Sequence, residues 1–229
     1  MNSDELYDAF RSDVVDTATP YLWSDDEVFR YMNSAYRMFV RLTGGIPDFT
    51  SDATKVAITA GENLVELHPS ILRIRQCFRA SDNGKIDIIN PEDLPMLRDN
   101  DYGALKPVWM DDREGPVRYL IIGGEFQTAK VVQIPIYDDE LNLVIYRLPL
   151  EQITGSGQEF SEVKEDHHIE LLDWMEHLAY KKQDAETFDR AKSDEKEAKF
   201  RTYCATSKAE MARAKHKTRV VVYGGVGAT

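Results

Sequence analysis

Long hydrophobic segments are missing from this 229-residue sequence, and cysteine is scarce. No apolar segment reaches the roughly 20 residues that span a bilayer, and the N-terminus MNSDELYDAF is acidic, unlike a secretory signal peptide. These absences predict a soluble protein that acts in a cytoplasm. The 2 cysteines, Cys77 and Cys204, have no metal-binding or redox spacing and fall in a predicted strand and a predicted helix. We expect two small buried thiols and not a disulfide.

Positive charge is also scarce, because the formal net charge is −12. This balance argues against general nucleic-acid binding, since neutralisation of phosphates supplies most of that affinity. The C-terminal end differs: between Lys208 and Arg219 there are five basic residues and one acidic residue, a net charge of +4. A basic end on an acidic body indicates contact with an acidic surface, which a neighbouring copy can supply. The preference of cations for helix C-termini explains the same residues equally well.

Catalytic and metal-binding motifs are missing as well. His167 and His168 are adjacent, so on a helix they point about 100° apart, and His177 lies nearly three turns further on. Asp173 and His177 have a spacing that suits two ligands, but a zinc site needs a third and no HExxH motif is present. We predict a surface histidine pair near a helix N-terminus, with no metal, no cofactor and no catalytic residues. Phosphate loops and nucleophile elbows are also missing, so no enzyme activity is predicted.

Helical periodicity dominates both ends of the chain. A first helix is predicted from Ser3 or Asp4 to Thr19-Pro20, and a second from Ser24, which forms a capping box with Glu27, to Gly44-Gly45. Near the C-terminus, a third helix is predicted from about Glu165 to Lys182 and a fourth to about Lys215. The predicted inward faces are Leu6, Phe10 and Val14 on the first helix; Val28, Met32, Ala35 or Tyr36, and Phe39 on the second; Ile169, Leu172, Met175 or Trp174, and Leu178 or Ala179 on the third; and Ala191, Ala198, Cys204 or Ala205, and Met211 or Ala212 on the fourth.

Between about Asp52 and Leu148 the periodicity changes to 2, which predicts a β-domain of six or seven strands. Residues 55–59 and 63–67 flank Ala60-Gly61-Glu62 and are predicted to form a hairpin. The predicted fold class is α+β: a helical bundle from both chain ends with an inserted antiparallel β-domain and an extended C-terminal tail. The predicted domains are residues 1–50 (N-terminal helices), 51–150 (inserted β-domain), 160–215 (C-terminal helices) and 216–229 (extended docking tail).

Three segments, in this order, carry a resemblance to a known family: ELYDAFRSDVVD…WSDDEVFRYMNSAYRMFVRLTGGIPDFT, ENLVELHPSILRIRQCFRASDNGKIDIINPEDL and HHIELLDWMEHLAYKKQDAETFDRAKSDEKEAKFRTYC. Together they resemble the head-to-tail adaptor (connector or neck) proteins of short-tailed bacteriophages. The resemblance implies a structural virion protein that forms a ring under the portal, typically of twelve copies. Its implied partners are the portal ring, tail or nozzle proteins, and further copies of itself. It implies that DNA passes through the channel without specific binding, and a location in the virion neck after assembly in the host cytoplasm.

The resemblance also implies a portal-binding role for the C-terminal end. The matching positions are Lys215, Lys217, Arg219, Val220, Val221, Val222, Tyr223, Gly224 and Gly225. Read from the residues alone, the four β-formers can add a strand to a partner's sheet edge, and the glycines keep the end adaptable. A frayed terminus that contacts nothing stays an alternative.

Two other functions stay open. One is a different virion part, such as a head-closing or tail-completion protein, which shares the multimeric interfaces but binds another partner. The other is a small hydrolase or nucleotide-processing enzyme. A bound metal, or activity lost when Asp173 or His177 is replaced, would favour the enzyme.

Overall fold

A computed structural model of the protein describes residues 1–90, 96–98, 105–124, 127–183 and 187–215. Within these ranges the chain contains four α-helices and ten β-strands, so the predicted α+β class is confirmed. The chain divides into two compact units, a helical unit (Met1–Thr43 with Ile153–Thr229) and a sheet unit (Gly44–Gln152). The predicted tail at 216–229 lies outside the described residues.

The first helix, α1, spans Ser3–Asp13 and begins one residue after its N-cap, Asn2. Asn2 and Glu5 form a reciprocal capping box, in which Asn2 Oδ1 accepts the Glu5 N–H at 2.9 Å. The prediction that this helix extends to Thr19-Pro20 is wrong. Val15 has a φ of 57°, a left-handed conformation that a right-handed helix cannot contain.

The second helix, α2, spans Asp25–Thr43 and has the predicted capping box. The Ser24 N–H donates to Glu27 Oε2 at 3.0 Å, and the Glu27 N–H donates to Ser24 Oγ at 3.4 Å. Gly44 follows with a φ of 103°, which glycine adopts without strain and which ends the helix as predicted. The predicted apolar faces are buried: Leu6, Phe10 and Val14, and then Val28, Met32, Ala35, Tyr36 and Phe39.

The two C-terminal helices are α3 (Leu171–Lys181) and α4 (Arg190–Lys215). The predicted start of the third helix at Glu165 is wrong, because a 3₁₀ turn (Glu165–His167) precedes it. The buried His168 ring stabilises this irregular approach, since its nitrogens lie 3.1 Å from Met1 O and 2.9 Å from Val163 O. Ile169, predicted to face inward, precedes the helix and is 47% exposed.

The sheet unit contains one eight-stranded sheet and a two-stranded ladder, β6–β7. The order of the large sheet is β1-β10-β4-β5-β8-β9-β3, and β2 also pairs with β10. The strands are β1 (Ile46–Asp48), β2 (Lys55–Ile58), β3 (Leu64–Glu66), β4 (Ile71–Arg79), β5 (Lys85–Ile89), β6 (Met96–Arg98), β7 (Leu105–Pro107), β8 (Tyr119–Ile122), β9 (Thr128–Val132) and β10 (Asp139–Arg147).

Two predictions about strand pairing are wrong. The strands β2 and β3 do not form a hairpin, because β2 pairs with β10 and β3 pairs with β9. The turn between them is held elsewhere, since the Gly61 N–H donates to Pro135 O at 2.9 Å. The sheet is also not wholly antiparallel, because β5 and β8 pair in parallel, with Ile88 opposite Leu120. Turn composition therefore did not determine the partners.

The large sheet curls around one hydrophobic core, to which seven of its strands contribute buried side chains. Cys77, on β4, is fully buried in this core. Both cysteines are free, and burial raises the pKa of Cys77 and of Cys204 to about 12. The prediction of two buried thiols is confirmed.

Candidate interaction surface at the C-terminal helix

The fourth helix leads to the predicted portal-binding residues, and it is held on the helical unit mainly by its N-terminal two thirds. Phe200 is fully buried and its ring packs on Trp174, with the ring centroids 5.2 Å apart. Ser193, Cys204 and Ser207 are the other buried residues along this helix. The helix therefore packs through one large aromatic ring and several small side chains.

The apolar stripe predicted for this helix is wrong in its phase. Cys204 is buried as predicted, but Ala191 and Ala198 are exposed. The large ring of Phe200 decides which side is buried, because it covers much more apolar surface than an alanine methyl group. The spacing of the alanines therefore predicted the wrong face of the helix.

Two buried acids on α3 anchor α4 through lysines. The side chains of Asp173 and Glu176 are each only 4% exposed. Lys196 Nζ donates to Asp173 Oδ1 at 3.3 Å and to Glu176 Oε1 at 2.9 Å. Lys199 Nζ donates to Asp173 Oδ1 at 3.1 Å. Both the acids and the lysines are spaced i, i+3, so each pair lies on one face of its helix.

Burial and charge act against each other in this cluster. Burial raises the pKa of Glu176, and the hydrogen bond and charge of Lys196 only partly oppose the shift. For Lys196, burial acts to lower the pKa, but the hydrogen bonds and charges of Glu176 and Asp173 outweigh it, so the pKa is raised. Lys196 therefore stays charged, while burial makes Glu176 easier to protonate than an exposed glutamate.

Three histidines, His167, His168 and His177, have structural roles. The prediction that His167 and His168 form a surface pair is wrong, because His168 is buried and His167 is half-buried. His177 is 3% exposed, and its Nδ1 lies 2.9 Å from Ser193 O and 3.0 Å from Ser193 Oγ. His167 Nδ1 lies 2.8 Å from the hydroxyl of Tyr203 on α4, and burial lowers the pKa of His167. Together with His168, these rings join α3 and its approach to α4 and to the N-terminus.

The pair considered for a metal, Asp173 and His177, has other roles. Asp173 is ion-paired with two lysines, and His177 is hydrogen-bonded to Ser193. Across the described ranges no group of three or more His, Cys, Asp or Glu side chains is arranged to hold a metal ion. Asp173 and His177 therefore hold α4 against α3.

The C-terminal two turns of α4 differ from the anchored part. From Lys208 to Arg213 every residue is exposed except Met211, which is half-buried. Lys208 and Arg213 place cations on the last turns, where the negative end of the helix dipole favours them. Lys215 is the last residue of the helix. The other predicted portal-binding residues, Lys217, Arg219, Val220, Val221, Val222, Tyr223, Gly224 and Gly225, lie outside the described residues.

The helix α4 is thus anchored by buried ion pairs, and from Lys208 to Arg213 its side chains are exposed apart from Met211. The chain belongs to the SU10 adaptor protein family, whose model matches residues 1–222. This family consists of structural phage adaptor proteins and is not a family of enzymes, so the resemblance to head-to-tail adaptors is confirmed. Membership implies a place in the virion neck and contact with portal and tail proteins.

No match to this chain was found among curated proteins. Of the helices described, none has the length and hydrophobicity required to cross a bilayer.

Proposed function

We propose that copies of this adaptor form a ring under the portal, and that each copy docks through its C-terminal segment, Lys215 to Gly225. The proposed ring contains twelve copies, assembles in the host cytoplasm and joins the portal to the tail around the DNA channel. The proposed roles of residues 1–50, 51–150 and 160–215 are to build the ring, and that of residues 216–229 is to dock it.

The observation that carries this proposal is the exposed cationic end of α4. The helix has 26 residues and a length of about 39 Å, and the ion pairs and Phe200 fix its direction. Its last turns are exposed and lead into four consecutive β-formers, Val220–Tyr223. From Thr218 the chain reaches up to roughly 40 Å when extended, which is enough to meet a neighbouring molecule.

The charge of the chain supports passage of DNA through such a ring during ejection. The net charge of −12 gives phosphates little to bind, so DNA is expected to slide without specific contacts. The cations of the C-terminal end instead suit an acidic surface on the portal. Many copies engaging one ring offset the cost of ordering each segment.

Truncation after Lys215 is expected to lower the apparent affinity for the portal ring encoded with this protein at least 100-fold. The physical reason is that each copy loses the β-forming segment, and the loss is repeated around the ring. Co-sedimentation over a concentration series and negative-stain imaging measure this change. The matched control ends at Gly225, keeps all the predicted portal-binding residues and is expected to bind like the full-length chain.

Three outcomes of this experiment have different meanings. Equal binding by the full-length chain and by the chain ending at Lys215 would assign docking to the helices and contradict the proposed segment. If neither chain binds the portal, the portal-docking function is wrong. Binding to purified tail proteins in that case would favour the alternative of a head-closing or tail-completion protein.

A further inference from the structure

One end of the β4–β10 ladder carries an arginine pair around a tyrosine. Arg73 lies opposite Tyr146 across the two strands, and its guanidinium carbon is 4.8 Å from the centre of the Tyr146 ring. Arg75 Nη1 donates to the Tyr146 hydroxyl at 3.2 Å. Both arginines are exposed, while Tyr146 is 6% exposed beneath them. We call Arg73, Arg75 and Tyr146 the basic end.

The cations of the basic end have no acidic partner within the described part of the chain. No described carboxylate lies within 4.0 Å of the guanidinium of Arg73 or Arg75. By contrast, Arg79 on the same strand pairs with Asp82 at 2.7 Å, and Arg147 on the partner strand pairs with the buried Asp48. Two arginines held side by side by one aromatic ring present a ready surface for carboxylates.

The opposite end of the same ladder has a groove with acidic rims. The groove has a volume of about 250 Å³, and its walls include Val117, Ile136 and Tyr137. Ile136 is 50% exposed and Tyr137 is 79% exposed. Carboxylates of Asp82, Asp138 and Asp139 line it together with Arg79, whose guanidinium pairs with Asp82, so Asp138 and Asp139 are the acids that can take a further cation. We call this groove the acidic end.

The acidic end has capacity for an incoming cation. Asp138 is exposed, and its one hydrogen bond within the described ranges comes from the Ala60 N–H at 2.8 Å. The exposed ring of Tyr137 offers a face on which a guanidinium can stack. The apolar walls can cover the methylene groups of an arginine side chain.

The two ends cannot meet within one copy. Asp139 opens β10 and Tyr146 lies seven residues later, so the ends are roughly 23 Å apart along the strand. Complementary surfaces at opposite ends of one unit form a head-to-tail contact between copies, which closes into a ring when the rotation per copy allows it.

Nucleic acid fits the basic end less well than a second copy does. Only two unpaired arginines contribute to this surface, and the chain as a whole repels phosphates with a net charge of −12. Every neighbouring copy, in contrast, presents the acidic end with an aromatic ring beside it.

We propose that the basic end of one copy binds the acidic end of the next and that this contact joins copies into the ring. The inference rests on the proposed ring-forming function and assigns its contact to particular residues of the sheet unit. Arg73 and Arg75 of one copy pair with Asp138 and Asp139 of the neighbour, and Tyr137 stacks against the arginines.

Charge reversal tests this contact from both sides. The variants R73E/R75E and D138K/D139K are each expected to raise the concentration for half-saturation of portal rings at least 10-fold and to leave incomplete rings. The combined variant R73E/R75E/D138K/D139K is expected to restore complete rings, because the same ion pairs form with exchanged signs. Mass measurement of adaptor–portal complexes counts the copies.

Two controls separate this contact from changes in net charge or folding. R30E/R37E changes the charge by the same amount on the exposed side of α2 and is expected to bind like the wild type. If thermal unfolding shows that D138K/D139K is misfolded, the lighter pair R75E and D138K takes its place in the same design. A mixture of R73E/R75E and D138K/D139K is expected to restore complete rings in which the two variants alternate, since each contact then joins ends of opposite charge and the proposed ring has an even number of copies.

Three results would overturn the inference. One is complete rings at the wild-type concentration from both reversed variants. A second is loss of rings that the combined variant does not restore. A third is a reversal that abolishes binding of tail protein or DNA while ring formation is unchanged, which would assign the arginines to that partner. If the wild type does not bind the portal, the proposed docking fails separately, and sedimentation velocity of the same variants alone at high concentration still tests the contact.

Discussion

Replacing Asp48 with alanine is expected to lower the free energy of unfolding of the sheet unit by about 3–5 kcal/mol. Asp48 forms an ion pair with Arg147, and the two residues are 6% and 8% exposed. The same carboxylate accepts the Thr50 N–H at 3.0 Å, the Ser51 N–H at 3.1 Å and the Ser51 hydroxyl at 2.6 Å. Its removal takes the buried Asp48 carboxylate away from the Arg147 guanidinium and breaks the turn that follows β1.

Urea denaturation measures this loss, and hydrogen exchange of peptides from β1 and β10 assigns it to the sheet unit. The matched control is Asp52→Ala, because Asp52 is a fully exposed acid in the same loop, and its ion pair among the described residues is with the exposed Lys55, at 3.5 Å. Its replacement is expected to cost less than about 0.5 kcal/mol. Similar losses for both variants would contradict the assigned role of the Asp48–Arg147 pair.

The same carboxylate predicts a loss of stability in acid. Burial acts to raise the pKa of Asp48, but hydrogen bonds from Ser51, Arg147 and the backbone outweigh it and hold the pKa well below the usual 3.8. A carboxyl whose pKa is lower in the folded state stabilises the protein above its unfolded pKa, and this contribution is lost as the pH falls below about 4. The urea midpoint of the wild type is therefore expected to fall more steeply below pH 4 than that of Asp48→Ala. Parallel pH profiles would rule out this linkage.

Local signals predicted the N-terminal helices well. The Ser24–Glu27 capping box and the helical spacing of Val28, Met32 and Phe39 depend only on neighbouring residues, and each was found as predicted. The end of α1 was missed because it depends on a left-handed residue, Val15, and no sequence rule favours valine in that conformation.

Long-range pairing was less predictable. The pairing of β2 with β10 joins residues about eighty positions apart. The glycine-containing turn after β2 had instead predicted a hairpin between β2 and β3, its neighbour in the sequence. The pairing of β10 with three strands, β1, β2 and β4, depends on how the core is filled, and the sequence pattern of one strand does not contain that information. The parallel pairing of β5 with β8 likewise depends on how the core is filled, and not on the residues of either strand alone.

The portal-binding segment from Lys215 to Gly225 stays a prediction, because all of it except Lys215 lies outside the described residues. The anchoring of α4 was not predicted, because its contacts come from charged side chains and the prediction rested on apolar residues. The signal was present: Asp173 and Glu176 have the same i, i+3 spacing as Lys196 and Lys199, which matches two acids to two bases on facing helices.

Replacing Lys196 with methionine is expected to lower the free energy of unfolding of the helical unit by about 3–5 kcal/mol. Lys196 is the lysine that donates to both Asp173 and Glu176, so its loss leaves the buried Glu176 carboxylate without its cation. The matched control is Lys199→Met, because Lys199 is 62% exposed and Asp173 keeps Lys196 in that variant. The control is expected to cost less than about 1 kcal/mol. Urea denaturation of both variants measures the difference.

The dependence on pH and a second substitution identify the cause. Burial already raises the pKa of Glu176, and removing Lys196 takes away the group that opposes the shift. A carboxyl whose pKa is higher in the folded state stabilises the protein when protonated, so Lys196→Met is expected to regain stability as the pH falls. The double variant E176Q/K196M is expected to recover part of the loss at neutral pH, since no buried charge is left unpaired at residue 176. Equal losses for Lys196→Met and Lys199→Met, or a difference that does not change with pH, would show that the ion pairs do not hold α4. If they do hold it, Lys196→Met also weakens docking to the portal, because the C-terminal segment is directed by the helix that this lysine anchors.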